Sequence, residues 1–251
     1  INFTINFFRI PRLRCYSKFD SISTTFFANS EITKFTFSNL RKVKMSTGIP
    51  SNPVELWNQI PKWKSFENYH QLWKWSTDNI SDFWATVWDY VKIIHSAPYE
   101  QVVDSKPMNQ IPAWFSGAKL NFAQNLLQCR DENKTAIISV GEGRIPKKIS
   151  YCDLYDQVRS MAAAMRKVGV KKNDRISAYI SNCPEAVIAM LASASICAIW
   201  SSASPDFGVS GVLDRFSQIR PKFLFSTNSV VYNGNNIDIL PKLKIIVGKR
   251  V

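Results

Sequence analysis

The sequence predicts an α/β fold, in which a helical N-terminal segment packs on an incomplete domain built around a parallel sheet. Two observations support this prediction. Short apolar runs typical of buried strands alternate with amphipathic helical patterns from about residue 128 onward, and an aromatic-rich helical region precedes them. Strands that alternate with helices favour a parallel sheet covered on both faces, because each crossover helix buries its apolar stripe on the sheet.

The stretch that organises the chain begins at 182. Pro184 suits the first turn of a helix, where its missing N–H costs nothing, and a run rich in Ala and Ser follows to Trp200. A kinked loop is predicted at 201–208. The uncharged interval 186–205 has the length of a membrane span, but it holds five serines and ends in proline. A buried core helix is therefore predicted, and no transmembrane segment.

A second helical pattern and a strand complete this stretch. Four apolar residues repeat at i, i+3, i+4 and i+7, which is one helical stripe: Val209, Val212, Leu213 and Phe216. Pro221 stops this helix, and 222–227 suits a short buried strand. We expect 174–180 and 222–227 to lie in one parallel sheet.

The region before and after this stretch supplies further elements. Strands are predicted at 135–140 and 145–151, joined by a hairpin turn, and a long amphipathic helix at 154–168. Gly169 stands where a left-handed C-terminal cap is expected. The run 242–248 is predicted to be a final strand.

The aromatic-rich region at 57–127 predicts the N-terminal helical piece. Ser65 can cap a first helix, a second apolar stripe runs through 80–94, and a third helix reaches Leu127. An aromatic stripe of this kind can line a hydrophobic ligand groove. Packing is the favoured interpretation, because large aromatic side chains dominate the burial of small helical layers.

Residues 1–44 show neither helical nor strand periodicity, and the first methionine is Met45. We interpret them as a leader upstream of the functional start and leave them out of the fold. The alternative is a transit peptide, which Asp20 and Glu31 disfavour. The first interpretation predicts a cytoplasmic protein and the second a mitochondrial one.

The composition excludes several function classes. The net charge is +13, but no basic stripe with interleaved aromatics is present, so nucleic-acid binding is not predicted. His70 and His95 are the two histidines, and no metal cluster can be assembled around them. Five cysteines without regular spacing predict a reducing compartment rather than disulfides: Cys15, Cys129, Cys152, Cys183 and Cys197.

Five separated segments carry a family resemblance. They lie at 114–123, 182–192, 200–208, 214–219 and 231–234, and the third contains Ser-Pro-Asp-Phe-Gly. In this order they resemble the acetoacetyl-CoA synthetase family, within the AMP-forming acyl-CoA synthetases. The Ser-Pro-Asp-Phe-Gly loop separates this family from the acetyl- and propionyl-CoA synthetases.

The resemblance implies ligation of acetoacetate to coenzyme A with ATP and Mg²⁺, through an acyl-adenylate, in ketone-body use for lipid synthesis. It also implies a domain division: an acetyl-CoA-synthetase-type helical domain at 57–127 and the first part of an AMP-binding domain at 128–251. The family's Gly-rich phosphate loop and catalytic Lys have no counterpart in the sequence, so no catalytic residue is assigned. We expect a fragment of a longer protein, inactive alone.

One binding contact is carried over from the resemblance. In acetyl-CoA synthetases a basic-x-Gly-basic turn contacts a coenzyme A phosphate, and here the aligned residues are Tyr232, Asn233, Gly234 and Asn235, without Arg or Lys. Tyr232, Gly234 and Asn235 are predicted as a coenzyme-side turn, with a plain surface turn as the favoured alternative. Cys197 replaces a family glycine and is expected to be a buried helical residue of neutral effect.

Two other functions remain open. The parent protein is alternatively an acetyl- or propionyl-CoA synthetase, or a non-catalytic binding module.

Overall fold

A computed structural model describes residues 53–58, 64–142 and 145–249, and the backbone of β1 (Phe8–Arg9). The predictions made for 1–44 otherwise lie outside the described residues. The chain divides into two compact units. We call Asn29–Leu120 the aromatic unit, and Ile1–Ala28 together with Asn121–Val251 the sheet unit.

The described part of the aromatic unit, 53–58 and 64–120, holds three helices, one 3₁₀ turn and four short strands. The helices are α1 (Pro53–Asn58), α2 (Tyr69–Asp78) and α3 (Ile80–Tyr90), and the 3₁₀ turn is Met108–Gln110. The strands are β2 (His95–Ala97), β3 (Gln101–Val103), β4 (Trp114–Ser116) and β5 (Lys119–Leu120). β2 pairs with β5 and β3 with β4, both antiparallel.

Aromatic rings pack against one another in this unit. Trp57 stacks on Phe83 with centroids 5.3 Å apart, and Trp88 stacks on Phe115 at 4.7 Å. Trp88 itself is buried. The stripe on α3 therefore contributes contacts between rings, which add to the burial of their area.

The start of α2 differs from the sequence prediction. The helix begins at Tyr69, and Asn68 caps it by accepting the N–H of Gln71 at 3.0 Å, so the predicted cap at Ser65 is wrong. The Asn58 side chain holds Phe66 by two hydrogen bonds of 2.9 Å, to its N–H and its carbonyl. Those bonds use the backbone groups of Phe66 before the helix begins.

In the sheet unit, the described residues beyond β1 form five helices and seven further strands. The helices are α4 (Phe122–Leu126), α5 (Tyr151–Lys167), α6 (Pro184–Ser195), α7 (Val209–Ile219) and α8 (Leu240–Gly248). The strands are β6 (Thr135–Ser139), β7 (Lys147–Ser150), β8 (Arg175–Tyr179), β9 (Ile199–Ala203), β10 (Phe223–Ser226), β11 (Ser229–Tyr232) and β12 (Asn235–Asp238).

The main sheet has the strand order β1-β10-β8-β9, with β8 parallel to both β10 and β9. Ile176 lies opposite Phe223 on one side and Trp200 on the other. This confirms that 174–180 and 222–227 share one parallel sheet. Helices α5 and α6 pack on one face, and α7 and α8 on the other, so the predicted α/β layering is confirmed.

Strand β9 was missed by the sequence prediction, which continued the helix to Trp200 and placed a loop at 201–208. α6 ends at Ser195, and 199–203 pair with β8 in full register. The short connection between α6 and β9 explains why the helix ends early. Cys197 adopts a left-handed conformation, with φ 59°, which ends the helix and turns the chain back onto the sheet.

The prediction of a final strand at 242–248 is wrong. These residues belong to α8, whose Leu243 and Ile246 are buried against the sheet at helical spacing. Pro241 lies in the first turn, where proline is tolerated. A short apolar run fits either a buried strand or a buried helix, and periodicity alone cannot separate the two.

Cys197 is not the buried helical residue that the sequence suggested. It is exposed and has a positive φ, a region where a side chain costs about 1 kcal/mol and glycine costs nothing. We therefore expect Cys197→Gly to raise the free energy of unfolding by about 1 kcal/mol in urea denaturation. Cys197→Ser keeps the Cβ and is the control. An equal gain in both variants would assign the effect to the thiol instead.

A half-buried ion pair joins the start of β10 to the turn before β8. Lys222 Nζ contacts the Asp174 carboxylate and donates to the Gly169 carbonyl at 2.8 Å, and the Lys171 N–H donates to Asp174 at 2.7 Å. Gly169, with φ 87°, is the left-handed cap that the sequence predicts. Partial burial raises the pKa of Asp174, but the bonds from Lys222 and Lys171 outweigh it, and the net pKa is lowered.

This lowered pKa predicts a pH dependence. A carboxyl with a depressed folded-state pKa stabilises the protein above its unfolded pKa of about 3.9, and that stability is lost as the pH falls through the folded pKa. Asp174→Asn has no such group. In urea titrations, the difference in unfolding free energy between wild type and Asp174→Asn should shrink below about pH 4. A difference that stays constant down to about pH 2 would contradict this.

Candidate functional site

The carboxyl edge of the main sheet is the natural place for a site. The crossover β8-α6-β9 runs over one face, and β9-α7-β10 returns over the other face to the far side of β8. The chain therefore leaves the carboxyl ends of the neighbouring strands β8 and β9 over opposite faces of the sheet. In open α/β sheets, ligands bind in the crevice outside such a reversal of strand order.

The carboxyl ends of β10 and β8 are tied together. Ser226 Oγ donates to the Tyr179 carbonyl at 2.8 Å. Thr227 Oγ1 then donates to the Ser229 carbonyl at 2.8 Å, which turns the chain into the hairpin of β11 and β12. This hairpin follows directly from the sheet edge.

The tip of the hairpin carries all three residues that the sequence predicts for the coenzyme side. Asn233 and Gly234 both have positive φ, 49° and 74°, which is the geometry of a two-residue hairpin turn and the reason Asn-Gly suits it. Tyr232 lies opposite Asn235, and its side chain is 61% exposed. The structure thus brings Tyr232, Gly234 and Asn235 together in one exposed turn.

Glu142 is a partner of this turn that sequence reasoning missed. The Gly234 N–H donates to Glu142 Oε2 at 2.9 Å, across 92 residues of chain. Glu142 is half-buried and follows the hairpin strand β6. No local pattern could have indicated it, because the contact depends on two hairpins meeting in space.

The Ser-Pro-Asp-Phe-Gly loop lies beyond the carboxyl end of β9, and hydrogen bonds from a buried side chain of β8 hold it. The buried Tyr179 hydroxyl lies 3.0 Å from both the Pro205 and the Phe207 carbonyls and shares its one proton between them. Ser204 Oγ donates to the Asp206 carboxylate at 2.8 Å. Burial raises the pKa of Tyr179, and the negative charge of Asp206 adds to this, so the hydroxyl keeps its proton as a donor.

A thiol and a carboxyl meet where β8 leads into α6. Burial raises the pKa of Cys183 to about 12, with the negative charge of Glu185 adding to the shift. Burial also raises the pKa of Glu185, against the charge of Lys147. A thiol with so high a pKa is protonated at neutral pH and is a poor nucleophile, so Cys183 is a packing residue here.

Among the described residues, no three His, Cys, Asp or Glu side chains form a group that could hold a metal ion. Within 53–58, 64–142 and 145–249, every helix is too short or too polar to span a bilayer.

Two family models match the chain. The model described as acetyl-coenzyme A synthetase N-terminus matches residues 69–126, and the model described as AMP-binding enzyme matches residues 127–250. The two matches follow one another without a gap. They confirm the resemblance found from the sequence motifs at the level of the AMP-forming synthetases.

Individual relatives indicate which kinds of AMP-forming synthetase the chain resembles. The chain is 49% identical over 185 residues to acetoacetyl-CoA synthetase of Macaca fascicularis, covering 73% of this chain and 28% of the relative. It is 42% identical over 189 residues to a malonamoyl-CoA synthetase of Penicillium aethiopicum, covering 73% of this chain and 26% of that protein. The chain thus spans about a quarter of the length of the relatives it matches.

A solved structure supports the same similarity as the family models and the individual relatives. Acetoacetyl-CoA synthetase from Streptomyces lividans superposes with a TM-score of 0.68 at 32% sequence identity, over 89% of this chain and 32% of that one. This confirms the fold as that of the AMP-forming synthetases. Residues 127–250 therefore belong to the AMP-binding enzyme family, and acetoacetyl-CoA synthetases are among the relatives of the chain.

Proposed function

We propose that this protein joins acetoacetate to coenzyme A with ATP. In this reaction the acetoacetate carboxylate attacks the α-phosphorus of ATP, pyrophosphate leaves, and an acyl-adenylate forms. The coenzyme A thiolate then attacks the acyl carbon and AMP leaves. The observation that supports the proposal is the 49% identity to an acetoacetyl-CoA synthetase over 185 residues.

The chain's own residues supply the coenzyme side in this proposal. The turn of Tyr232, Gly234 and Asn235 extends from the sheet's carboxyl edge, where ligands of α/β sheets bind. Tyr232 presents an exposed ring that can stack on a nucleotide base. Mg²⁺ is proposed to accompany ATP, with the nucleotide's phosphates as its ligands.

Acetoacetate-dependent exchange between ATP and pyrophosphate tests the proposal. The protein is purified from its source, identified by peptides from residues 69–250, and assayed with acetoacetate, acetate and propionate. We expect exchange with acetoacetate and at least about tenfold less with the other two acids, since a pocket built for a polar group rejects acids that lack it. Faster exchange with acetate or propionate would overturn the proposal in favour of an acetyl- or propionyl-CoA synthetase.

A second substrate has specific support. The similarity to a malonamoyl-CoA synthetase, 42% over 189 residues, favours malonamate as an alternative acid. Acetoacetate and malonamate both carry a carbonyl at the β position, so one hydrogen-bond donor in the acyl pocket would serve both. Malonamate in the same exchange assay decides between them, and the acid with the higher kcat/KM is the substrate.

The remaining alternative is a non-catalytic binding module. It predicts saturable coenzyme A binding without exchange for any of the four acids.

We further propose that the reaction serves cytoplasmic lipid synthesis. Cell fractionation tests this location, and recovery of the protein in mitochondria would favour the transit-peptide interpretation of residues 1–44.

A further inference from the structure

The amide at the tip of the β11–β12 hairpin is accessible but already occupied. A Cβ added at Gly234 would meet no atom within 4 Å, so this side of the turn is open. The Gly234 N–H is nevertheless bonded to the Glu142 carboxylate at 2.9 Å. A ligand that is to bond with this N–H must therefore displace a charged acceptor.

A carboxylate in this position discriminates by charge. A phosphate group is also an anionic acceptor and would have to displace Glu142 from the N–H while being repelled by it. The four described residues of the turn itself carry no positive charge: Tyr232, Asn233, Gly234 and Asn235. A neutral ligand group meets no such repulsion.

We propose that Glu142 is a specificity-determining residue that excludes phosphate from the Asn233-Gly234 turn, so that the turn accepts the base of coenzyme A rather than its phosphate. The coenzyme part of this inference rests on the proposed function. In coenzyme A the 3′-phosphate and the adenine share one ribose, so a base stacked on Tyr232 brings that phosphate close to the turn. Glu142 then cancels the advantage that the phosphate would otherwise give.

The consequence is measurable with two ligands, coenzyme A and dephospho-coenzyme A, which lacks the 3′-phosphate. Calorimetric titration of the 251-residue wild type should give the two dissociation constants within about twofold of one another. Glu142→Gln keeps an acceptor but loses the charge, and Glu142→Ala frees the N–H. Both variants should prefer coenzyme A, by about three- to fivefold, with Glu142→Ala the stronger.

The control removes the same charge elsewhere. Glu132 is exposed on the same unit, and Glu132→Gln should leave the ratio of the two constants at the wild-type value. A wild type that already prefers coenzyme A about fivefold, or Glu142 variants that leave the ratio unchanged, would overturn the role of Glu142 while leaving coenzyme binding intact.

A readout without the coenzyme separates the two proposals. The Gly234 amide resonance should shift saturably with inorganic phosphate in Glu142→Ala and stay unchanged in wild type at the same concentrations. If this shift occurs but neither coenzyme form binds any variant, the proposed coenzyme contact fails and the exclusion of phosphate stands. If phosphate shifts the resonance equally in both proteins, the exclusion itself is refuted.

Discussion

Replacing Phe216 with Ala is expected to lower the free energy of unfolding of the sheet unit by about 3–5 kcal/mol. Phe216 lies on α7 and is 1% exposed, within the core between the sheet, α7 and α8. The substitution removes the transfer free energy of the ring and leaves a cavity that the strands can only partly close. Urea denaturation followed by far-ultraviolet circular dichroism measures the change.

The same substitution at an exposed ring is the control. Phe122, the first residue of α4, is 59% exposed, and Phe122→Ala should change the free energy of unfolding by less than about 1 kcal/mol. Similar losses for the two variants would contradict the placement of Phe216 in this core.

The second large effect is expected for Tyr179→Phe, at about 1–3 kcal/mol. The substitution keeps the buried ring but removes the hydroxyl that donates to the Pro205 and Phe207 carbonyls, both at 3.0 Å. The Phe207 carbonyl then loses this donor, and the carbonyl of the buried Pro205 keeps only Lys242 Nζ, at 3.4 Å. A poorly satisfied buried carbonyl costs more than an average hydrogen bond contributes. The loop beyond β9 should also loosen, which faster amide exchange at Phe207 and Gly208 would report.

Tyr232→Phe provides the matched control for this prediction. Its side chain is 61% exposed, so loss of its hydroxyl should cost less than about 0.5 kcal/mol. If amide exchange in the loop were unchanged in Tyr179→Phe, the hydroxyl would not be what holds the loop.

Local patterns predicted the parallel pairing of β8 and β10, because each strand is a short apolar run between turn residues. They missed β9, since 199–203 follow a helix rich in Ala and Ser after only three residues. The positive φ of Cys197, which makes that short connection possible, has no signal in a cysteine. α8 was misassigned because an apolar run suits either kind of buried element.

The residues of the candidate site likewise fall into two groups, those that the sequence predicted and those that it did not. Tyr232, Gly234 and Asn235 are neighbours in sequence, so an Asn-Gly turn sufficed to bring them together. Glu142 and Tyr179 reach their partners across 92 and 26 residues, and such contacts follow from the packing of whole elements. The sequence therefore predicted the turn but not the Glu142 carboxylate that is bonded to it.

The distribution of tryptophan gives the two units separate optical signals. Seven of the eight tryptophans lie between 57 and 114 in the aromatic unit, and Trp200 on β9 is the one in the sheet unit. The centroid of its ring lies 5.9 Å from that of Phe225, in the core on the same face of the sheet. The difference between the emission spectra of wild type and Trp200→Phe therefore isolates one fluorophore, which follows the melting of the parallel sheet while the other seven report on the aromatic unit.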